Sequence, residues 1–260
     1  MSRYLSLLAL AARHTIYKVL AITAAAAALV GWLMVRLPLI GNLIGVTGDG
    51  EPILRPYSLE QIPSRSLAPL ACLAGFLAIM AVLSFHGCGF GVKSDYTVRR
   101  LRLEEGRAGL LWAGYYTVCV LFYWAAMAAV CYWAMGRRVA LLAADPTYGY
   151  IAGPQSRMLA FYSSAFLHHL LPLRDLAVWA EDVLLAVLCG TAAMLFSRQQ
   201  RKGRLIVLPL STAVITAASF FSGMGELMNY VVLFVSLGCL IALILLKGAE
   251  EDESPVPGTP

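Results

Sequence analysis

A series of apolar blocks, each close to the length of a membrane span, constrains this chain more than any other feature. A helix of about 20 apolar residues crosses about 30 Å of hydrocarbon. Backbone amides in lipid must be paired within their own segment, and the alternation of a barrel strand is absent, so each block is predicted to be a helix. The blocks cover residues 17–37, 66–85, 108–133, 176–196, 205–221 and 227–246. The sequence therefore indicates an all-α polytopic membrane protein with six transmembrane helices.

Composition supports this class and excludes others. Hydrophobic residues make up 60% of the chain and charged residues 13%, against about 45–50% and about 25% in soluble domains. A water-soluble enzyme is therefore excluded. The net charge is +5, but the spans interrupt the basic residues, which nowhere form the dense basic stretch that nucleic acid requires. The 6 cysteines lie in or beside apolar blocks, so no disulfide framework is predicted.

The positions of Lys and Arg predict the orientation of the chain. If both termini are cytoplasmic, most of the 20 basic residues fall in inner segments, as the positive-inside rule requires. Arg137 and Arg138, directly after the third span, fall on the disfavoured outer side and are the weakest point of this scheme. We therefore expect a multi-pass protein of the cell's inner or plasma membrane, with its N- and C-termini in the cytoplasm.

The segments outside the spans have separate interpretations. Residues 2–13 show helical spacing of apolar side chains, which fits an interfacial N-terminal helix and equally fits a ragged start of the first span. The outer segment 38–65 is rich in Gly and Pro and is expected to be irregular or partly extended. We assign residues 1–247 to a single transmembrane domain and 248–260 to a disordered cytoplasmic tail.

The apolar segment 155–172 lies between the third and fourth spans. It is about as long as a span, but a crossing here would invert the rest of the chain and place the basic residues 198–204 outside. We therefore predict an outer helix before the fourth span that ends at Pro172. The sequence leaves open whether this helix lies on the surface or re-enters the membrane.

The segment 93–107, between the second and third spans, is the most informative stretch. Tyr96, Arg99, Arg100 and Leu103 recur three and four residues apart, which favours a short helix with one common face. Gly106 is suited to ending this helix before the third span. A solvated basic loop that anchors the positive side of the membrane is the alternative interpretation.

Ionisable residues within or beside the spans are candidate functional groups. Glu181 and Asp182 begin the fourth span and Glu226 opens the sixth, all near the predicted outer surface. We favour interfacial capping of the helix N-termini over a proton relay. Adjacent helical residues point about 100° apart, so His168 and His169 are not predicted to share a metal.

A family resemblance follows from these residues. The run from Asp95 to Leu101, DYTVRRL, lies after the second span and just before a long third span. It resembles the cytoplasmic coupling-helix region of ABC type-2 transporter permeases, which commonly reads YTLRRLPxSR. Six spans, cytoplasmic termini, an interfacial N-terminal helix and the apolar outer run FLHHLLPL are similar to the permeases of bacitracin and lantibiotic efflux or immunity systems.

The resemblance implies that the chain is the transmembrane permease subunit of an ATP-driven exporter. Such an exporter would confer resistance to antimicrobial peptides. The chain would hold no cofactor and catalyse no reaction, since a cytoplasmic ABC ATPase subunit would bind ATP and Mg. Its other partner would be a second permease subunit, identical or homologous. Its cargo would be an amphipathic peptide, an antibiotic or a lipid-like molecule. The ATPase would dock on the coupling helix through Tyr96, Arg99, Arg100, Leu101, Leu103, Glu104 and Glu105.

Two other functions remain as alternatives. The first is an integral-membrane enzyme with an outer-face site built from His168, His169, Glu181 and Asp182. The second is a scaffold or sensor that transports nothing and binds a partner through the basic segment. Co-purification of an ATPase separates the permease from both.

Overall fold

The computed structural model describes residues 2–46, 52–86, 105–146, 153, 155–173, 175–201, 207–222, 230–232 and 234–242. The helices are α1 (Ser2–Arg36), α2 (Ile62–Arg65), α3 (Ala68–His86), α4 (Glu105–Ala143), α5 (Ser156–Ser163), α6 (Ala165–Leu170), α7 (Leu176–Arg201) and α8 (Leu208–Ser222), with a further apolar helix α9 at Tyr230–Ala242. Strands β1 (Ile40–Val46) and β2 (Pro52–Pro56) form an antiparallel hairpin.

Helices α1, α3, α4 and α7 each contain a stretch long and apolar enough to cross a membrane. They coincide with the first four predicted blocks, so the prediction of a helical polytopic membrane protein is confirmed at this level. Helices α8 and α9 lie in the last two blocks and are shorter apolar helices. Pro209 lies in the first turn of α8, where a missing N–H breaks no helical hydrogen bond.

Helix α4 lies between α1 and α7, and α3 packs against both of these neighbours. The hydroxyls of Thr15 on α1 and Tyr115 on α4 are 2.8 Å apart and share a hydrogen bond. Further along, Gly31 of α1 faces Val130 and Trp133 of α4. Because the contacts advance in the same direction along both helices, α1 and α4 run parallel. Helix α8 packs against α7 and α3.

The bundle has two distinct ends. The loop end is the end at which α3 finishes at His86, α4 begins at Glu105 and α7 finishes at Arg201. Phe85 and Phe196 meet there edge to face, with ring centroids 5.5 Å apart. The hairpin end is the opposite one and carries the β-hairpin, α2, α5, α6 and the last turns of α4.

Two helices are longer than the sequence predicts. Helix α1 is continuous over 35 residues, so the prediction of a separate helix at 2–13 is wrong: these residues continue the helix that contains the first span. Residues 2–30 contain neither Gly nor Pro, so nothing in the sequence breaks the helix. Helix α4 has 39 residues and runs past Trp133 to Ala143, which places Arg137 and Arg138 inside a helix rather than in a loop.

The hairpin end is more ordered than the sequence indicates. The hairpin agrees with the expectation of partly extended chain in segment 38–65. The segment 155–172 forms two short helices instead of one, because Ser164 between α5 and α6 adopts an extended backbone, with φ −85° and ψ 117°. Phe161 and Leu167 are fully buried. The pair therefore packs over the bundle, and neither helix is long enough to cross a membrane.

Candidate functional site

The predicted ATPase-docking segment lies outside the described residues, except at its last position. Tyr96, Arg99, Arg100, Leu101, Leu103 and Glu104 all fall within 87–104. Glu105 is the first residue of α4. The sequence suggested that Gly106 ends a helix before the third span. Gly106 instead lies in the first turn of α4. Glu226 also lies outside the described residues.

The described helices fix where the docking segment is attached. It joins the C-terminus of α3 to the N-terminus of α4, and both lie at the loop end. Helix α7 finishes at the same end, shown by the contact between Phe85 and Phe196. Arg198 and Arg201, in the last turn of α7, therefore lie at the end of the bundle to which the docking segment is attached.

Arg138 has a defined structural role at the hairpin end. Its side chain is 1% exposed. Its guanidinium donates one hydrogen bond to the carbonyl of Leu37 and a second, of 3.1 Å, to the carbonyl of Pro38. These carbonyls lie at the C-terminal end of α1, where helix carbonyls lack helical partners and the macrodipole favours a cation. Arg138 thus caps α1 from α4, which gives this basic residue a structural role whatever the orientation of the chain.

The N-terminus of α7 has its own capping carboxylate. Asp175 Oδ1 accepts hydrogen bonds from the backbone N–H groups of Ala177 and Val178, at 3.0 and 3.4 Å. The capping role predicted for Glu181 and Asp182 is therefore wrong. Both residues lie more than one turn further along α7, where the backbone N–H groups bond within the helix.

Asp182 is instead a buried carboxylate without a partner. The side chains of Glu181 and Asp182 are 3% and 5% exposed. Neither carboxylate oxygen of Asp182 has a hydrogen-bond partner among the described residues. An ionised carboxylate in such a place is costly unless a proton or another cation neutralises it.

Asp182 lines a small cavity between four helices, which we call the Asp182 cavity. It has a volume of about 30 Å³, and its other lining residues are Phe76 of α3, Val120, Leu121, Tyr123 and Trp124 of α4, Leu185, Ala186 and Cys189 of α7, and Ala217 of α8. Phe76 is close to the middle of the 19-residue helix α3. The cavity therefore lies at mid-depth in the bundle, deeper than the outer surface where the sequence placed Asp182.

Close helix contacts hold the walls of this cavity. A methyl group added at Gly190 of α7 would lie 2.8 Å from the carbonyl oxygen of Ala113 and from the amide nitrogen of Thr117. Gly190 thus lets the backbones of α7 and α4 meet directly. Tyr123 donates a hydrogen bond of 2.6 Å to the carbonyl of Cys72 on α3. Trp124 packs edge to face against Trp179, with ring centroids 5.1 Å apart.

The alternative enzyme site is not assembled around this carboxylate. Neither His168 nor His169 is among the residues that line the Asp182 cavity. Both lie on α6, and His168 packs edge to face against Tyr162, with ring centroids 6.0 Å apart. Within the described ranges, no three His, Cys, Asp or Glu residues lie close enough together to hold a metal ion.

Sequence reasoning identified Asp182 but missed its surroundings. The signal for Asp182 was a carboxylate within an apolar block, which is expensive in lipid. Phe76, Tyr123 and Ala217 carry no comparable signal, since each looks like ordinary packing until the helices are placed together. Comparison of the chain with family models, curated proteins and solved structures finds no match.

Proposed function

We propose that this protein is the transmembrane permease subunit of an ATP-driven ABC exporter. A separate cytoplasmic ATPase subunit binds ATP and Mg, and grips the segment 93–107. The permease pairs with a second permease subunit, identical or homologous, in a cell inner or plasma membrane with both termini in the cytoplasm. The cargo is an amphipathic peptide, an antibiotic or a lipid-like molecule. Helices α8 and α9 complete six spans in the assembled protein.

The observation that carries this proposal is the attachment of the docking segment. It connects α3 directly to the central helix α4, which packs against α1 and α7. A force applied to this segment would therefore act on the helix that most of the bundle touches. The segment also carries Arg99 and Arg100, whose charges suit the steering and register of a protein partner.

Two further features support a transport role. Asp182 is a buried carboxylate at mid-depth, and ionisable residues within a membrane often mark substrate or ion pathways. The hairpin end is covered by α5 and α6, opposite the end at which the ATPase would bind. With the ATPase bound at the loop end and α5 and α6 packed over the hairpin end, the bundle suits a transport pathway that opens alternately to the two sides of the membrane.

Affinity purification of the tagged full chain from its own membranes tests the proposal. We expect an ABC ATPase to co-purify in stoichiometric amount and to hydrolyse ATP. Replacing Arg99 and Arg100 together by Glu should abolish this association, because it reverses the charge of the docking segment. The matched control replaces Arg65 and Arg137 by Glu, since both are exposed and lie at the hairpin end.

Two outcomes would overturn the proposal. The first is a chain that purifies without any ATPase while remaining folded. The second is an ATPase that stays bound after the Arg99 and Arg100 replacement. Catalytic activity of the isolated chain that is lost on His168→Ala would favour the enzyme alternative, and a stable partner without nucleotide hydrolysis would favour the scaffold.

A further inference from the structure

We propose that Arg36 and Arg137 together bind the phosphate group of an anionic membrane phospholipid at the hairpin end of the bundle. The site lies on the outer side of the contact between α1 and α4, which we call the α1–α4 seam. The proposal goes beyond the transport function and does not depend on an ATPase. Its basis is a sequence pattern, W-x-M-x-R, that both helices carry and that their contact brings side by side.

The pattern reads WLMVR at Trp32–Arg36 of α1 and WAMGR at Trp133–Arg137 of α4. Residues four apart share one face of a helix. The tryptophans are 51% and 57% exposed, and both arginines are exposed. The methionines between them, Met34 and Met135, are fully buried. Each helix therefore turns its methionine into the bundle and its Trp and Arg pair outward.

Two contacts set the register of the pairs. The ring of Trp133 is 3.5 Å from the place that a methyl group on Gly31 would occupy, and Gly31 directly precedes the tryptophan of α1. Arg138 donates a hydrogen bond to the carbonyl of Leu37, and each of these two residues directly follows an arginine of the pattern. Because α1 and α4 run parallel, the two arginines lie at the same level of the bundle.

The charge of this pair calls for an anion. Helices in contact have axes about 8–10 Å apart, so two long side chains that leave the same face at one level can reach the same phosphate. Neither arginine has an ion pair with a described carboxylate, and Arg36 stacks over the ring of Trp32, 4.7 Å from its centroid. The planar guanidinium group binds phosphate oxygens through two parallel hydrogen bonds.

The position along the helices favours a lipid phosphate over a soluble one. The apolar stretch of α1 ends at Arg36, and tryptophans are enriched where hydrocarbon meets the headgroups. The arginines lie one turn, about 6 Å, beyond the tryptophans. Basic residues between transmembrane helices at this level are suited to lipid headgroups.

The seam also has room for an acyl chain. On each helix the residues four and seven positions before the tryptophan are alanines, and none of them is fully buried: Ala25, Ala28, Ala126 and Ala129. These positions share the face of the tryptophan and lie towards the middle of the membrane. Their small side chains leave a shallow apolar groove in which an acyl chain can pack.

Native mass spectrometry of the full chain in detergent tests the proposal. The probes are dioleoyl phosphatidylglycerol, which is anionic, and dioleoyl phosphatidylcholine, which has the same acyl chains and no net charge. We expect the first phosphatidylglycerol molecule to bind about tenfold more tightly than the first phosphatidylcholine. Replacing Arg36 and Arg137 together by Gln should reduce this preference to about twofold or less, because hydrogen bonds to charged groups contribute more than neutral ones.

The matched control replaces Arg55 and Arg65 by Gln, since both are exposed at the hairpin end but lie on β2 and α2. It removes the same charge and should leave the preference unchanged. Equal loss of the preference in both double variants would overturn the proposal, because diffuse surface charge would then explain it. An unchanged preference after replacement of Arg36 and Arg137 would overturn it as well.

Two further outcomes would contradict the lipid site. Equal binding of the two lipids to the unmodified chain is what general anchoring in the headgroup region predicts, and this comparison would decide even if the Arg36 and Arg137 variant failed to fold. A dimer that excludes phosphatidylglycerol and that this variant abolishes would show that a second copy of the chain covers the seam.

Discussion

Two buried charged side chains of this protein have opposite surroundings. The guanidinium of Arg138, near the end of α4, donates to two backbone carbonyls at the end of α1. The carboxylate of Asp182, at mid-depth on α7, has no partner among the described residues and lines a cavity. A buried charge that hydrogen-bonds to backbone groups around it can stabilise the fold. A buried charge with no hydrogen bond at all reduces stability and is a candidate for binding something else.

The largest effect is expected at Arg138. Arg138→Met removes the cation and leaves the carbonyls of Leu37 and Pro38 buried without donors. We expect the free energy of unfolding to fall by about 3 kcal/mol, since orphaned buried groups carry their full desolvation cost. Denaturant titration in detergent, followed by circular dichroism, measures this change.

The neighbouring arginine provides the control for that measurement. Arg137 is exposed on the same turn of α4, so Arg137→Met should change the free energy of unfolding by less than about 0.5 kcal/mol. Equal effects of the two substitutions would contradict the capping role of Arg138 and would remove one side of the comparison.

The next effect concerns the contact that frames the Asp182 cavity. Gly190→Ala forces α7 and α4 apart, because its methyl group meets backbone atoms of Ala113 and Thr117. We expect a loss of about 2 kcal/mol in the free energy of unfolding, measured by the same titration. Gly114→Ala on α4 is the matched control, because a methyl group there meets nothing within 4 Å, and it should not destabilise the protein.

The smallest effect, with the opposite sign, is expected at Asp182. Asp182→Leu replaces an unpartnered buried carboxylate by an apolar side chain and should raise the free energy of unfolding by about 1 kcal/mol. Asp175→Ala, which removes the cap of the same helix, should lower it by about 1 kcal/mol. A marked loss of stability in Asp182→Leu would show that the carboxylate has a structural partner and would break the comparison.

The sequence predicted the helices better than their ends. Apolar blocks of span length located α1, α3, α4 and α7, because the requirement to pair backbone groups in lipid acts locally. The lengths of α1 and α4 were underestimated, since hydrophobicity stops at the membrane surface while helical hydrogen bonding continues. The extension of α4 beyond Trp133 depends on partners such as the end of α1, which lies about 100 residues away in the chain.

The candidate site was predicted only in part, for a related reason. A carboxylate in an apolar block can be recognised from sequence, and so Asp182 was singled out. The depth of Asp182 in the bundle depends on where α7 begins. The same is true of the capping role, which belongs to Asp175 instead of Asp182. The lining by Phe76 and Ala217 depends on how α3 and α8 pack against α7. Such contacts between distant segments leave no local pattern.

Cysteine labelling tests the central claim most directly, namely that an ATPase grips the segment 93–107 from the cytoplasm. Ser94→Cys in that segment and Ser58→Cys at the hairpin end are introduced separately into a Cys88→Ser background and treated with a membrane-impermeant maleimide. The account predicts that Ser58→Cys is labelled in intact spheroplasts and that Ser94→Cys is labelled only after permeabilisation. Labelling of Ser94→Cys in intact spheroplasts would place the docking segment outside the cell and would contradict the account.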